Sequence, residues 1–328
     1  MSMQRLLILF CLCLSAAMAA DQGGFLFVTF NSEGSPMGEQ IYMGLSQDGR
    51  RWGALNDAKP VLVSELGEKG VRDPFIMRSH DGKKAYLLAT DLSINRNRSW
   101  GRAVTQGSKS IVIWESTDLV KWSTPRLVQV SPDDAGCTWA PEAVYDEEAG
   151  DYLVFWASQN KSDNFKKQRI WAARTKDFVT FGKPFIYIEK PNHIIDTTII
   201  YDKGIYYRFS KDETFKAISL ETSKKLMGPW QTMEQFSLAK MTGYEGPTCF
   251  LLDSGANGKQ PTWCLLLDYY SKGQGYKPFV NHDLAGGQFV ADGNFSFPFH
   301  FRHGTVMPVT AAEYQRLTTA YGAPVFAK

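Results

Sequence analysis

The chain is poor in cysteine. It holds five among 328 residues, and Cys11 and Cys13 fall in the first twenty, which leaves Cys137, Cys249 and Cys264. An odd trio excludes a disulfide framework as the main brace. Cys249 and Cys264 lie on two apolar runs separated by the turn-rich residues 253–260. They read either as a cross-strand disulfide in an oxidising compartment or as buried small hydrophobes. An excess of charge is also lacking. The formal net charge is +2, with no basic run and no acidic tail, which argues against nucleic acid and anionic membranes as partners. No apolar stretch reaches the length of a membrane span, so no membrane insertion is expected. Helical periodicity is weak, apart from a short turn over residues 311–317.

The first residues have the pattern of an export leader. Arg5 supplies a positive start, residues 6–14 a short apolar core, and Ala17-Met18-Ala19 a small-residue cleavage site. Residues 1–19 are therefore assigned as a signal peptide and residues 20–328 as one catalytic domain, periplasmic or secreted.

A repeat fills that domain. Five apolar runs each open on a polar residue: Asp73-Pro74-Phe75, Glu142-Ala143-Val144, Asp196-Thr197-Thr198, Glu245-Gly246-Pro247 and His303-Gly304-Thr305. The gaps between openers are 69, 54, 49 and 58 residues, a period that marks an array or a propeller. A turn-and-aromatic tail alternates with them, at Ser46 to Trp52, Ser116 to Trp122 and Thr175 to Phe181, each with Asp at its third position. Looser copies run from Thr222 to Trp230 and from His282 to Phe289. Aspartate in such a tail favours a tight reversal, and the aromatic packs on the next repeat.

Strand signals follow the same rhythm. Residues 85–90, 152–157, 205–210 and 263–268 are second strands, and residues 110–114 and 169–173 are third strands. Each unit reads as a four-stranded propeller blade. Residues 25–52 have outer strands but no opener, whereas His303 opens a strand with no partner after it. The two ends should complete one blade between them and so remove free sheet edges. The expectation is an all-β fold, a single five-bladed β-propeller whose fifth blade is closed by N- and C-terminal strands.

In such a ring all inner strands start on one face. Asp73, Glu142, Asp196, Glu245 and His303 should then line one rim, with Asn31, Asp91, Ser158, Lys211 and Asp268 close by at the returning ends of second strands. Crowded carboxylates hold protons to different pH values, which an acid/base pair needs.

The ordered set Asp73-Pro74, Trp139-Ala140-Pro141, Ile195-Asp196 and Glu245-Gly246-Pro247 resembles glycoside hydrolase family 43, five-bladed propellers that remove arabinose, xylose or related sugars from plant polysaccharides. The match covers essentially the whole domain. The resemblance implies that Asp73 is the general base, Glu245 the general acid, and Asp196 the residue that tunes and orients the acid. It also implies inversion, with the two carboxyl groups about 6.5–9.5 Å apart to admit a water. Glu142 competes with Asp196 for the modulator role, but Asp196 is favoured. Glu142 then accepts a sugar hydroxyl or makes a structural hydrogen bond. Trp139 or Trp156 stacks on sugar or fills the blade core. Arg302 binds hydroxyls or pairs with a rim carboxylate, and Asp91, Lys211 and Asp268 are further binding candidates. His303 matches a histidine that contacts calcium in some members. No cofactor is required, and the resemblance allows Ca2+ near the axis. An exo-acting α-L-arabinofuranosidase is expected, with oligo- or polysaccharide as partner. β-Xylosidase, exo-β-galactanase and a non-catalytic sugar-binding propeller are the alternatives. Pocket depth, set by loops such as residues 95–105, separates terminal from internal cleavage.

Overall fold

The computed structural model describes residues 22–255 and 259–327. The leader expected over residues 1–19, with Cys11 and Cys13, lies outside the described residues. The rest folds as five antiparallel sheets. Blade 1 runs through Val71–Arg78, Ala85–Asp91, Ser110–Ser116 and Arg126–Gln129. Blade 2 comprises Trp139–Asp146, Asp151–Ser158, Arg169–Thr175 and Phe185–Ile188. Blade 3 comprises Ile194–Asp202, Ile205–Asp212, Ala217–Ser223 and Gln231–Thr232, and blade 4 Glu245–Asp253, Thr262–Asp268, Tyr276–Asn281 and Val290–Ala291.

Blade 5 is built from both ends of the chain. Its inner strand Thr305–Thr310 pairs with Gln22–Thr29, followed outward by Tyr42–Ser46 and Gly53–Ala54. The expected closure is thus observed. A fifth strand, Val325–Phe326, adds to the outer edge. Between them the helix Ala311–Tyr321 replaces the short turn read from sequence. It starts on a capping box formed by Thr310 and Glu313, which satisfies two of the backbone donors that a helix start leaves free.

The core explains why the ring holds. Five hydrophobic clusters lie one between each pair of adjacent blades. Leu26 and Val28 of blade 5 meet Val71 and Leu87 of blade 1, and Leu88 of blade 1 meets Val154 and Trp156 of blade 2. Phe155 meets Ile199, Phe209 meets Leu265, and Phe250 and Leu266 meet Phe25 and Phe27. No blade covers its own faces, so each is stable only beside its neighbours. The tails form as their sequence requires. The Oδ1 atoms of Asp48, Asp118 and Asp177 each accept two backbone N–H groups within the following three residues.

Register decides the cysteine question. Cys249 pairs with Leu265, and Cys264 with Phe250. Neighbours along a strand point to opposite faces, so the two thiols enter different inter-blade cores. Both are free and buried, and the cross-strand disulfide is excluded.

Candidate active site

Four inner strands begin with the same irregularity. Their register slips between Arg72 and Phe75, Trp139 and Glu142, Ile195 and Thr197, and Glu245 and Thr248. The bulge residues Asp73, Ala140, Asp196 and Gly246 have φ of 49°, 48°, 48° and 53°. Left-handed backbone costs a non-glycine residue about 1–2 kcal/mol, and strain of this kind gathers where a side chain must be aimed. Aligned on the bulge, Asp73 and Asp196 coincide, Glu245 comes one residue earlier and Glu142 two later. The openers are therefore not in one phase, as the spacing alone suggested.

The bulges bring residues from four blades to one place. His303 Nδ1 lies 3.5 Å from Asp73 Oδ1 and 3.9 Å from Asp196 Oδ2. Asp196 Oδ2 accepts the N–H of Gly246 at 3.1 Å, which anchors the backbone beside Glu245. Thr90 Oγ1 donates to Asp73 Oδ2 at 3.0 Å and accepts from Ala140 N at 2.8 Å, so blade 2 braces the Asp73 carboxylate. Burial pushes the Asp196 carboxyl up to about 6. The charge of His303 opposes the rise and that of Glu245 adds to it.

Beside this cluster opens a cavity of about 800 Å³, lined by Glu245 and by Arg72 and Ile195, the chain neighbours of Asp73 and Asp196, but not by Asp73, Asp196 or His303 themselves. Glu245 stands in its wall between two cations. Lys211 Nζ is 2.9 Å from Glu245 Oε2 and 2.7 Å from Glu213 Oε2, over the ring of Tyr270 at 4.2 Å. Arg302 Nη2 is 3.6 Å from Glu245 Oε1, and its Nε donates to Asp268 Oδ2 at 2.7 Å. Burial by itself would lower the pKa of Lys211. The carboxylates of Glu245, Asp196 and Glu213 outweigh that and raise it. Glu33 touches Arg72 and Arg302, and despite its burial these guanidinium groups draw its carboxyl below the usual range.

The expected binding residues divide. Trp139, Lys211 and Arg302 line the cavity; Glu142, Asp91 and Asp268 do not. Glu142 is 4% exposed and hydrogen-bonded to Thr198, and burial holds its carboxyl well above the ordinary range. It lies inside the ring and does not line the cavity. Asp91 turns away, because it neighbours Thr90 on the strand and so takes the opposite face. Its Oδ1 accepts the N–H of Glu68, and burial raises it to about 6. Asp268 is fully buried behind Arg302 and also accepts His303 N–H. Trp156 is wholly buried in the core between blades 1 and 2. Among the described residues, no three His, Cys, Asp or Glu side chains converge as a metal-ligand set. Calcium takes six to eight oxygen ligands, so an ion beside His303 would draw its shell from waters or carbonyl oxygens rather than from the imidazole. Sequence reasoning missed Thr90, Arg72, Glu33, Glu213, Tyr270 and Trp100. Arg72 had a signal, since it directly precedes Asp73. The others come from loops or from second strands with no repeated pattern.

The five-bladed propeller thus gathers Asp73, Asp196 and Glu245 around His303 and Gly246. Residues 21–315 match the family described as "Probable glycosyl hydrolase domain", related to glycoside hydrolase family 43. The chain belongs to that family. It is also 31% identical over 293 residues to an alpha-L-arabinofuranosidase of Bifidobacterium longum subsp. longum, an alignment over 76% of this chain. The chain spans 27% of that relative's length. Among solved structures, a putative exo-beta-1,3-galactanase from Bifidobacterium bifidum aligns over 86% of this chain and 90% of its own, with TM-score 0.56 and 14% identity. The GH43 BlXynB protein from Bacillus licheniformis aligns over 88% and 57%, with TM-score 0.52 and 15% identity. At such identities the two structures speak for the shared fold.

Proposed function

We propose that the chain is an exo-acting, inverting α-L-arabinofuranosidase that trims side chains from plant polysaccharides. One observation carries the reading: Asp73 and Asp196, far apart in sequence, meet at His303 Nδ1, and Asp196 holds the Gly246 N–H next to Glu245, which lines the cavity. Asp73, braced by Thr90, takes a proton from a water below the anomeric carbon. Glu245 gives a proton to the departing glycosidic oxygen. Asp196 orients Glu245 through the Gly246 N–H. Arg302 and Lys211 reach sugar hydroxyls from the wall. None of these steps uses a metal. The leader pattern of residues 1–19 supports export to the periplasm or the medium, where polysaccharide is met.

The test is hydrolysis of nitrophenyl α-L-arabinofuranoside, β-D-xyloside and β-D-galactoside, together with arabino-oligosaccharides. Arabinofuranoside should be the best substrate. General acid and base each contribute about 10²–10⁴-fold. Asp73→Asn should lose about that much on every substrate. Glu245→Gln should lose less on nitrophenyl glycosides, whose leaving group departs with little help, than on oligosaccharides. Equal activity in either variant and the parent removes that residue from its role. Binding of arabino-oligosaccharides without turnover of any substrate replaces the hydrolase with a sugar-binding propeller.

A further inference from the structure

The cavity is larger than one terminal sugar requires. At about 800 Å³ it falls in the upper part of the range that encloses drug-sized ligands, and a single pentose is far smaller. Glu245 lines it, and the cluster of Asp73, Asp196 and His303 lies behind that residue, so a chain whose end sugar is held beside Glu245 extends outward along the cavity. Whatever side chain stands at the mouth meets the sugars beyond the bond to be cut.

The prominent group there is Trp100. It opens the helix Trp100–Thr105, which lies in the long connection between the second and third strands of blade 1. Ser99 caps that helix by accepting the N–H of Arg102, and Arg102 in turn binds Glu68 at 2.8 Å. The preceding turn, Ile94–Asn97, is pinned by the fully buried Glu39, which accepts from Ser93 Oγ and the N–H groups of Ile94 and Asn95. This is a rigid mount for an exposed indole. Trp100 is 52% exposed, although it lines the cavity and touches the protein in two directions. Its ring meets Trp139 edge to face at 6.1 Å, and the Arg72 guanidinium lies over it at 5.3 Å. Trp139 sits next to the bulge residue that hydrogen-bonds Thr90, hence near Asp73. Trp100 forms the upper arm of a corner whose lower arm is Trp139. Held this firmly beside the cavity, the half-exposed indole offers a flat apolar surface to whatever enters. Flat indole faces suit the apolar face of a sugar ring.

We propose that Trp100 is a specificity-determining residue: it stacks on a sugar of the leaving portion, so the substrate is an oligosaccharide or polymer branch rather than an isolated glycoside. This rests on the hydrolase reading above. Trp100 has no part in proton transfer, and it acts on the affinity for the leaving chain.

The experiment compares the parent, Trp100→Ala and Trp100→Phe on arabinotriose, with free arabinose as a competitive inhibitor. Loss of one aromatic stack should raise KM for arabinotriose about tenfold in Trp100→Ala. Its kcat and the inhibition constant for arabinose should stay within twofold of the parent, and Trp100→Phe should recover most of the loss. An unchanged KM, or equal weakening of arabinose and arabinotriose, overturns the proposal. If the parent does not hydrolyse arabinotriose, the arabinofuranosidase reading fails separately. Calorimetric titration of arabinose and arabinotriose into parent and Trp100→Ala then decides the matter. Selective loss of arabinotriose affinity supports the stacking role, and no binding or no selectivity refutes it.

Discussion

At the scale of single residues, the site depends on backbone that few side chains tolerate. Gly246 has φ of 53°, and a Cβ there would lie 2.5 Å from His303 Cγ. Gly246→Ala should therefore push the imidazole off Asp73 and Asp196, cutting kcat at least tenfold and lowering stability by about 1–2 kcal/mol or more. Thermal melting and kinetics together check this, and a variant with parental kcat would show that the His303 contact is dispensable. Thr90→Val keeps the shape but leaves Asp73 Oδ2 without its hydroxyl donor. A fall in kcat of about tenfold is expected, in line with a hydrogen bond to a charged group, with KM little changed. The three acids were legible because each opens an apolar run at blade spacing. Thr90 was not, since a threonine inside a strand looks like any β-former. Asp91 took its place in the sequence reading by one residue, and in a strand one residue reverses the face.

At the scale of elements, the tail turn is the unit that the sequence wrote most clearly. In blade 1 Asp118 accepts the N–H groups of Val120 and Lys121, and in blade 2 Asp177 does the same for Val179 and Thr180. Either aspartate changed to alanine should cost about 1–2 kcal/mol of stability, read as a lower denaturant midpoint, with no change in KM. A loss of activity without a loss of stability would assign the turns a role at the site that their position denies. The closing elements were harder to read. The strand Val325–Phe326 is two residues long, and its pairing with Gly53–Ala54 bridges nearly the whole chain, so no local pattern announces it. The helix Ala311–Tyr321 buries Leu317 fully but leaves most of its surface wet, and so carries little hydrophobic periodicity.

At the scale of the whole molecule, winding the chain into a ring forces acids into the interior. Burial raises Asp91, Asp196 and Asp268 each to about 6, against about 3.9 for an unfolded aspartate. Between these values the folded state holds more protons than the unfolded one. Stability from these groups is thus full below about pH 4 and is lost as pH rises through about 6. Asp91 takes the strand face opposite Thr90 and holds the Glu68 N–H, so Asp91→Asn should flatten the fall in melting temperature between pH 4 and 7 relative to the parent. Parallel curves would contradict the assignment. The ring itself was legible from the alternation of openers and tails and from the mismatch of the two ends. The phase of the openers was not, because a bulge adds a residue that counting cannot see.

The most direct measurement follows the anomeric form of the first sugar released, by proton NMR within minutes of adding enzyme to an α-L-arabinofuranoside. A base and an acid on opposite sides of the anomeric carbon must give the inverted, β-configured arabinose before mutarotation. Release of the α-anomer would mean a covalent intermediate, and Asp73 and Glu245 would not be the opposed pair described here.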